Sequence, residues 1–230
     1  MPYPPGHRAA TRGKIVESAR RLFNQHGFES VTVRQIMAGA GLTHGGFYDY
    51  FDGKSDLYTE VLGCFFTDPN FKSRWEGVTV DLGAADVGTQ IIRAYLSRQH
   101  YDDIENSCPM VALPTDVRRS GNVVKGAFET IFLAMVRMLE QSMGTADRAR
   151  RRKAQAVAAL CVGGLVVARA LRTDSEADAL REACMAVALE LASGRPAPAR
   201  NPKKGVPKRA FSAQKALGRG RRAVRNAAGV

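Results

Sequence analysis

The sequence predicts an all-α protein: an N-terminal three-helix unit, a larger helical unit and a basic tail. Three observations predict it. Apolar residues recur at helical spacing over long segments, as in Ile15, Ala19, Leu22 and Phe23, and again in Val124, Phe128, Ile131, Phe132, Met135 and Leu139. Helix starts and stops punctuate those segments, among them Thr32 with Gln35, Pro109, Gly27 and Gly41. No run of strand length alternates apolar and polar residues, and no internal repeat is evident.

Residues 1–10 are Pro-rich and expected to be flexible. The first helix begins near Thr11 and runs to His26, where Gly27 stops it. Arg12, Lys14 and Arg20 on this helix read as solvated charges in preference to phosphate contacts. Next comes VTVRQIMAGAGLTHGGFYDYFDGKSDL, Val31 to Leu57. Thr32 and Gln35 form a capping box, with Val31 and Ile36 as its hydrophobic staple. That helix ends near Ala40, and Gly41 supplies a left-handed turn. Thr43 caps a second helix, with Leu42 and Phe47 as staple, which ends near Phe51. After Asp52-Gly53, Lys54 heads a third helix through Leu57, Tyr58, Val61, Leu62 and Phe65; Asp56 in its first turn suits the helix dipole. Two helices across a short glycine-containing turn make a helix-turn-helix unit.

The second of these helices is odd as a packing element. Only Phe47 and Phe51 are clear core anchors, and Gly45 and Gly46 cost about 1 kcal/mol each inside a helix. One reading is a glycine-weakened surface helix. The other is a backbone that must approach a partner closely, such as the DNA major groove that a recognition helix enters. The paired caps and the aromatic-polar face favour DNA. Gly53-Lys54-Ser55 resembles the end of a phosphate-binding P-loop, but Tyr48 stands where that loop needs glycine and no strand precedes it.

Arg12 to Leu57 resembles the DNA-binding domain of TetR-type (tetracycline-repressor-like) transcriptional regulators. The matching residues are Ile15, Ala19, Leu22, Phe23, Gly27, Thr32, Ile36, Ala40-Gly41-Leu42-Thr43, Gly45, Tyr48, Phe51, Lys54 and Leu57, without a gap. The resemblance covers the first quarter of the chain in detail. Beyond it only a helical outline is similar to the family's regulatory domain. At Tyr50 the chain departs from the histidine that the family often has.

The resemblance implies a homodimeric regulator of transcription, a repressor that a small, mainly apolar molecule releases from a double-stranded DNA operator. Thr43, Tyr48 and Lys54 would hold phosphates. His44, Gly45 and Gly46 would face base edges, with Tyr50 unassigned. Arg34 would reach a base or a phosphate, and as a guanidinium could bind guanine through two hydrogen bonds. The expected organisation is a DNA-binding domain at 11–57 (helix-turn-helix about 34–53, the last helix continuing to about 66), a ligand-binding and dimerisation domain at 67–194, and a disordered tail at 195–230.

In the second unit, residues 67–83 read as a loop with at most a short helix. Trp75 there either walls a cavity or packs between domains. Residues 84–100 read as one helix with Val87, Ile91, Ala94 and Tyr95 on its apolar face. Cys108-Pro109 starts another, and Pro114 breaks it, either at a simple corner or beside a cavity. Further helices are expected over 122–143, 145–171 and 176–192. The methionines of 122–143 suit ordinary core as well as an adaptable pocket. On the resemblance, Cys108, Met110, Phe128 and Phe132 are candidate walls of the ligand pocket. Gly163 and Gly164, with Ala158, Ala159 and Ala168, would let another helix approach closely. In the resembled family the last two long helices pair with their copies, which makes these glycines candidate dimer contacts; packing inside the monomer explains the same pattern.

The composition bounds the rest. The chain has 230 residues, 45% of them hydrophobic, enough for a small unit and a larger core. Of its 34 Lys and Arg, 11 lie between Arg195 and Val230 with no acid among them, and the other 23 face all 22 Asp and Glu. The body is therefore almost neutral and the charge of +12 sits in the tail. Such a segment cannot bury enough apolar area to offset its ordering entropy. It is either a solvated extension or an electrostatic contact to phosphates. The alternative function that follows is sequence-tolerant nucleic-acid binding driven by the tail. Cys64, Cys108, Cys161 and Cys184 show no CxxC spacing and suggest a reduced, cytoplasmic setting. No signal peptide is expected, nor a membrane span, since the nearly uncharged run Ala154–Ala168 is too short. No HExxH or similar spacing suggests a metal, a cofactor or an enzyme; His7, His26, His44 and His100 pair with no nucleophile in sequence.

Overall fold

The computed structural model describes residues 6–64, 78–143 and 148–193. Trp75, Phe65, the start of the 145–171 segment and the basic tail lie outside them. Every regular element among the described residues is helical: α1 (His7–His26), α2 (Val33–Gly39), a 3₁₀ helix (His44–Asp49), α3 (Lys54–Gly63), α4 (Val87–Tyr95), α5 (Arg98–Asp102), α6 (Pro109–Ala112), α7 (Pro114–Arg119), α8 (Asn122–Ser142), α9 (Arg148–Ala170) and α10 (Asp174–Ala192). The described residues pack as one unit.

Two apolar cores lie inside that unit. The first gathers Ile15, Phe23, Ile36, Phe47, Phe51, Leu57, Tyr58 and Leu62, so α1 backs α2, the 3₁₀ helix and α3. The second gathers Ile92, Leu96, Met110, Met135, Leu139, Val157, Cys161 and Leu165 from α4, α6, α8 and α9. Leu113, Val117 and Val124, from far along the chain, belong to the first core, and Phe128 of α8 touches both. The α6–α8 stretch is therefore a wall shared by the two cores.

Several boundaries move from their expected places, each for a local reason. α1 starts at His7, about a turn before Thr11. The expected helix over 84–100 is broken in two, because Ser97 acts as an N-cap and its hydroxyl accepts the His100 amide at 3.1 Å. The last helix starts at Asp174, since Thr173 caps it by accepting the Glu176 amide. Pro109 and Pro114 each occupy a first helical turn, so Pro114 opens a new helix at a corner. Arg20 is not solvated: only 5% exposed, it donates to Glu17 and to the segment after α5. Its hydrogen bonds, with those of Arg21, draw the Glu17 carboxyl from an ordinary 4.5 down to about 2 despite partial burial.

α9 bears on two expectations. Residues Ala149–Ala170, a longer stretch than the nearly uncharged run Ala154–Ala168, are long and apolar enough to cross a membrane by length and composition. In the fold Ala154, Val157, Ala158, Cys161, Leu165 and Ala168 are fully buried against protein. Gly164, expected at a dimer contact, points inward. A Cβ there would lie 2.9 Å from Cys184 Sγ and 3.2 Å from Leu96 Cδ2, so the glycine lets α9 close on α10 and α4 of its own chain. Around Gly163 the corresponding space is open. Cys108, Cys161 and Cys184 lie in or against the second core, and Cys64 is half-buried against the first.

Gly164→Ala is accordingly expected to lower the unfolding free energy by about 1–3 kcal/mol, the usual effect of overpacking. The control is Gly126→Ala in α8, whose added Cβ meets nothing within 4 Å. It is expected to be neutral or to stabilise by up to about 1 kcal/mol. Urea denaturation of the two variants checks the contrast.

Candidate nucleic-acid interface

The helix-turn-helix is built from the predicted signals, with one substitution of geometry. The Thr32–Gln35 capping box is complete: the Thr32 amide donates to Gln35 Oε1 at 2.8 Å and the Gln35 amide to Thr32 Oγ1 at 3.3 Å. The staple residues Val31 and Ile36 are both buried. Gly41 stands at φ +71°, and the Leu42 amide returns to the Met37 carbonyl at 2.8 Å, closing α2 in the left-handed manner. α2 and α1 cross closely at Gly39. A Cβ there would lie 2.4 Å from Ser18 Oγ, which itself donates to the Ile36 carbonyl at 2.8 Å.

The second helix differs from expectation. It is 3₁₀, ends at Asp49 before Phe51, and the Thr43 side chain makes no cap hydrogen bond. With two adjacent glycines the segment has little helical cohesion, and the tighter 3₁₀ form occurs in such short pieces. Phe47 and Phe51 pin it to the first core, their rings stacked 5.6 Å apart. Its carbonyl end is held from α1. Arg8 donates to the Asp49 carbonyl, and its guanidinium lies 5.4 Å from the Tyr50 ring. Arg12 donates to the Tyr50 carbonyl, lies 4.1 Å over the Phe51 ring and pairs with Glu60 of α3 at 2.9 Å. Cations at the negative end of a helix are also favoured by its dipole.

The expected reading residues divide into two groups. Thr43, His44, Gly45 and Tyr48 are exposed together on one side, Tyr48 at 65%, with the His44 ring 6.5 Å from it. Arg34 is exposed nearby in sequence, in the first turn of α2, with no hydrogen bond or ion pair among the described residues. A Cβ on Gly45 would meet nothing within 4 Å, and one on Gly46 only Met37 at an ordinary 3.9 Å. Nothing among the described residues therefore requires glycine at either position. Tyr50 and Lys54 form the second group, turned into the protein. Lys54 is not placed as a phosphate contact. Its ammonium donates to the carbonyls of Phe28 at 2.8 Å and Val31 at 3.0 Å, and sits 4.3 Å over the Phe28 ring.

Arg8 and Arg12 thus position the 3₁₀ helix and Lys54 the turn before α2, roles the sequence does not announce. Arg12 meets Tyr50 and Glu60 across 38 and 48 residues, and no local pattern marks such a pairing. The candidate pocket walls fare differently. Cys108 and Met110 are fully buried in the second core, and Phe128 and Phe132 are half-buried against it. The described clefts lie elsewhere: one of about 750 Å³ between α1 and α2, and one of about 560 Å³ between the start of α1 and the 3₁₀ helix.

Residues 15–61 match the profile of the bacterial regulatory proteins of the tetR family. Over this segment the chain is similar to proteins of the tetR family. Among similar curated proteins, the HTH-type transcriptional regulator AcrR of Shigella flexneri is 43% identical over 51 residues, 22% of this chain and 24% of that protein. The HTH-type transcriptional repressor KstR2 of Rhodococcus jostii is 28% identical over 109 residues, 47% of this chain and 50% of that protein. The chain thus spans a quarter to a half of the length of these relatives. Solved structures extend the likeness as a fold. Reduced E. coli NemR superposes with a TM-score of 0.60 at 17% identity, covering 78% of this chain and 95% of NemR. A TetR-family regulator from Agrobacterium tumefaciens gives 0.55 at 16%, covering 79% and 98%. The all-helical fold agrees with the fold class expected from sequence.

The geometry separates reading from positioning at Lys54. Lys54→Met keeps the apolar stem and removes the charged donor, and is expected to cost about 1–3 kcal/mol of stability, the range for hydrogen bonds to charged groups. Chemical denaturation without DNA is the check. A lysine that only held phosphate would leave the unfolding curve where it was.

Proposed function

We propose that this TetR-like chain is a homodimeric, sequence-specific DNA-binding regulator of transcription, a repressor that a small, mainly apolar ligand releases from its operator. One observation carries the reading. An exposed face of Thr43, His44, Gly45 and Tyr48 stands on a helix whose other side and carbonyl end are clamped to the protein. The open space at Gly45 supports it, because the glycine serves no packing need among the described residues.

In this reading Thr43 and Tyr48 hold phosphates, and His44, Gly45 and Gly46 face base edges in the major groove. Arg34 enters from the start of α2. Tyr50 contributes its ring as a platform under Arg8, and Lys54 acts through the protein by holding the 28–31 turn. No cofactor, metal or enzymatic step is needed, and the setting is cytoplasmic. The dimer forms on the outer faces of α9 and α10. Val166 and Val167 of α9 are 37% and 50% exposed there, and Val187 of α10 is 46% exposed. Apolar side chains so arranged suit a two-fold contact, with Gly163 on the open side of α9 and Gly164 excluded from it. A dimer of this kind presents its two reading helices about 34–36 Å apart, one turn of duplex. The ligand site lies among α4–α8, near Cys108, Met110, Phe128 and Phe132. A ligand that prefers another spacing of the heads shifts the dimer off DNA.

Binding to a duplex selected by the protein from a random-sequence pool tests the reading. Tyr48→Phe is expected to weaken all sequences alike, and Arg34→Ala, where it reaches a base, to relax one position by about 1–3 kcal/mol of discrimination. Normal affinity in both variants would place the DNA on another surface. Val167→Glu is expected to give folded monomers by sedimentation, with operator affinity lost. A basic tail acting alone would show in the same assay as binding without sequence preference and with a steep salt dependence.

A further inference from the structure

One end of the helical body is strongly basic. The first turns of α9 carry Arg150, Arg151, Arg152 and Lys153, and no acid stands in its first turn. Arg151 and Arg152 are exposed, and Arg150 and Lys153 are half-buried. Arg151 lies 3.6 Å from Glu140 of α8, while Arg150, Arg152 and Lys153 make no ion pair among the described residues. All four stand at the positive end of a 23-residue helix, where the helix dipole favours anions over cations. Cations kept there are short of counter-charge.

The last helix ends at the same place. Residues 171–173 join α9 to α10, which folds back along it so that Gly164 faces Cys184. The last turn of α10, with Leu191 and Ala192 against the second core, therefore returns to the first turns of α9. From there the chain continues into residues 195–230, where Arg outnumbers Lys seven to four and no acid occurs. Against these charges the pole sets Glu140 and the exposed Glu190. It is also remote from the reading helix. Val124, at the start of α8, belongs to the first core. At about 1.5 Å per residue, Glu140 lies about 24 Å further along that helix.

We propose that this pole, Arg150–Lys153 with the basic segment that follows α10, is a second DNA-binding surface, indifferent to sequence, that grips a stretch of duplex other than the operator. The inference rests on the reading of this chain as a DNA-binding regulator. Duplex DNA carries one negative charge about every 1.7 Å, so clustered cations gain from it by releasing its counterions. Arginine adds planar, two-point bonding to phosphate oxygens. The arginines of α9 are fixed at the far end of α8 from the first core, out of reach of the duplex that the reading helix holds. The DNA they meet is therefore a second stretch. A lipid surface fits less well, because helices that lie on membranes carry an apolar face beside their charges. Among the described residues no large hydrophobic is exposed on α9 before Val166, and Phe211 is the one aromatic in residues 195–230. A regulator built in this way reads one stretch of DNA and holds another to it by charge.

Co-capture with the full chain tests this. Beads carrying a random-sequence duplex are offered a fluorescent copy of the duplex that the protein selects, already saturated with protein. The beads are expected to retain fluorescence only when protein is present, and the logarithm of the capture affinity to fall linearly with the logarithm of salt. Two variants locate the surface. One combines Arg150→Gln, Arg151→Gln and Arg152→Gln; the other combines Arg219→Gln, Arg221→Gln and Arg222→Gln, outside both cores. Each removes three cations and is expected to flatten the salt slope by about 2–3 units, at about 0.9 per phosphate contact. Affinity for the selected duplex alone is expected to hold. Selected duplex bound without any capture on the beads would overturn this proposal and leave the regulator reading standing. Capture unaltered in both variants would overturn it as well. Weakened binding of the selected duplex itself in both variants would put the charges on the operator, and stronger capture on phosphatidylserine vesicles than on duplex would put them on lipid; either result overturns it. Failure to select any duplex would sink the regulator reading, and this proposal with it.

Discussion

Six residues of 3₁₀ helix with two adjacent glycines hold little structure by themselves, so the clamp on His44–Asp49 is what the rest of the molecule depends on. Phe47 and Phe51 sink one side into the first core. Arg8 and Arg12 take the carbonyls at its far end, and Arg12 ties them on to Glu60 of α3. Lys54, at the head of α3, gathers the carbonyls of the turn before α2. A helix so held from behind can leave Thr43, His44, Gly45 and Tyr48 uncommitted. Exposure of that face and burial of its supports are two sides of one arrangement.

The second core meets this unit through a shared wall. Leu113, Val117 and Val124 complete the first core although they come from α6–α8. The Asp116 carboxylate accepts the Phe28 amide at 2.8 Å, next to the carbonyl that Lys54 holds. Phe28 stacks on Tyr58 at 4.4 Å between ring centres. Any rearrangement of α6 and α7 therefore reaches the turn that orients α2. Close crossings at Gly39, Gly88 and Gly164 add rigidity: a Cβ at any of the three would fall within 3.0 Å of a neighbouring side chain.

Much of this was legible in the sequence where a signal is local. The capping box at Thr32, the left-handed Gly41, the helical start at Pro109 and the apolar face of the long α8 are all read from residues within a turn or two of each other. The TetR-like spacing from Ile15 to Leu57 belongs to the same class. Ser97 and Thr173 were as legible in principle, since each is a hydroxyl residue placed to cap the turn that follows it. They show that apolar periodicity can hide a cap within a longer stretch.

The sequence by itself determined an all-α chain and the helix-turn-helix at its head, because helix periodicity and capping are short-range properties of the backbone. Only the tertiary structure decided what the charged and small residues do. Lys54, Arg12 and Arg20 look like surface cations in sequence and become internal clamps once carbonyls 23 to 85 residues away come within reach. Gly163 and Gly164 are indistinguishable neighbours until α10 and Leu96 close on one of them. A donor's partner and a glycine's neighbour are set by how helices cross, and crossing depends on every side chain in the shared cores at once.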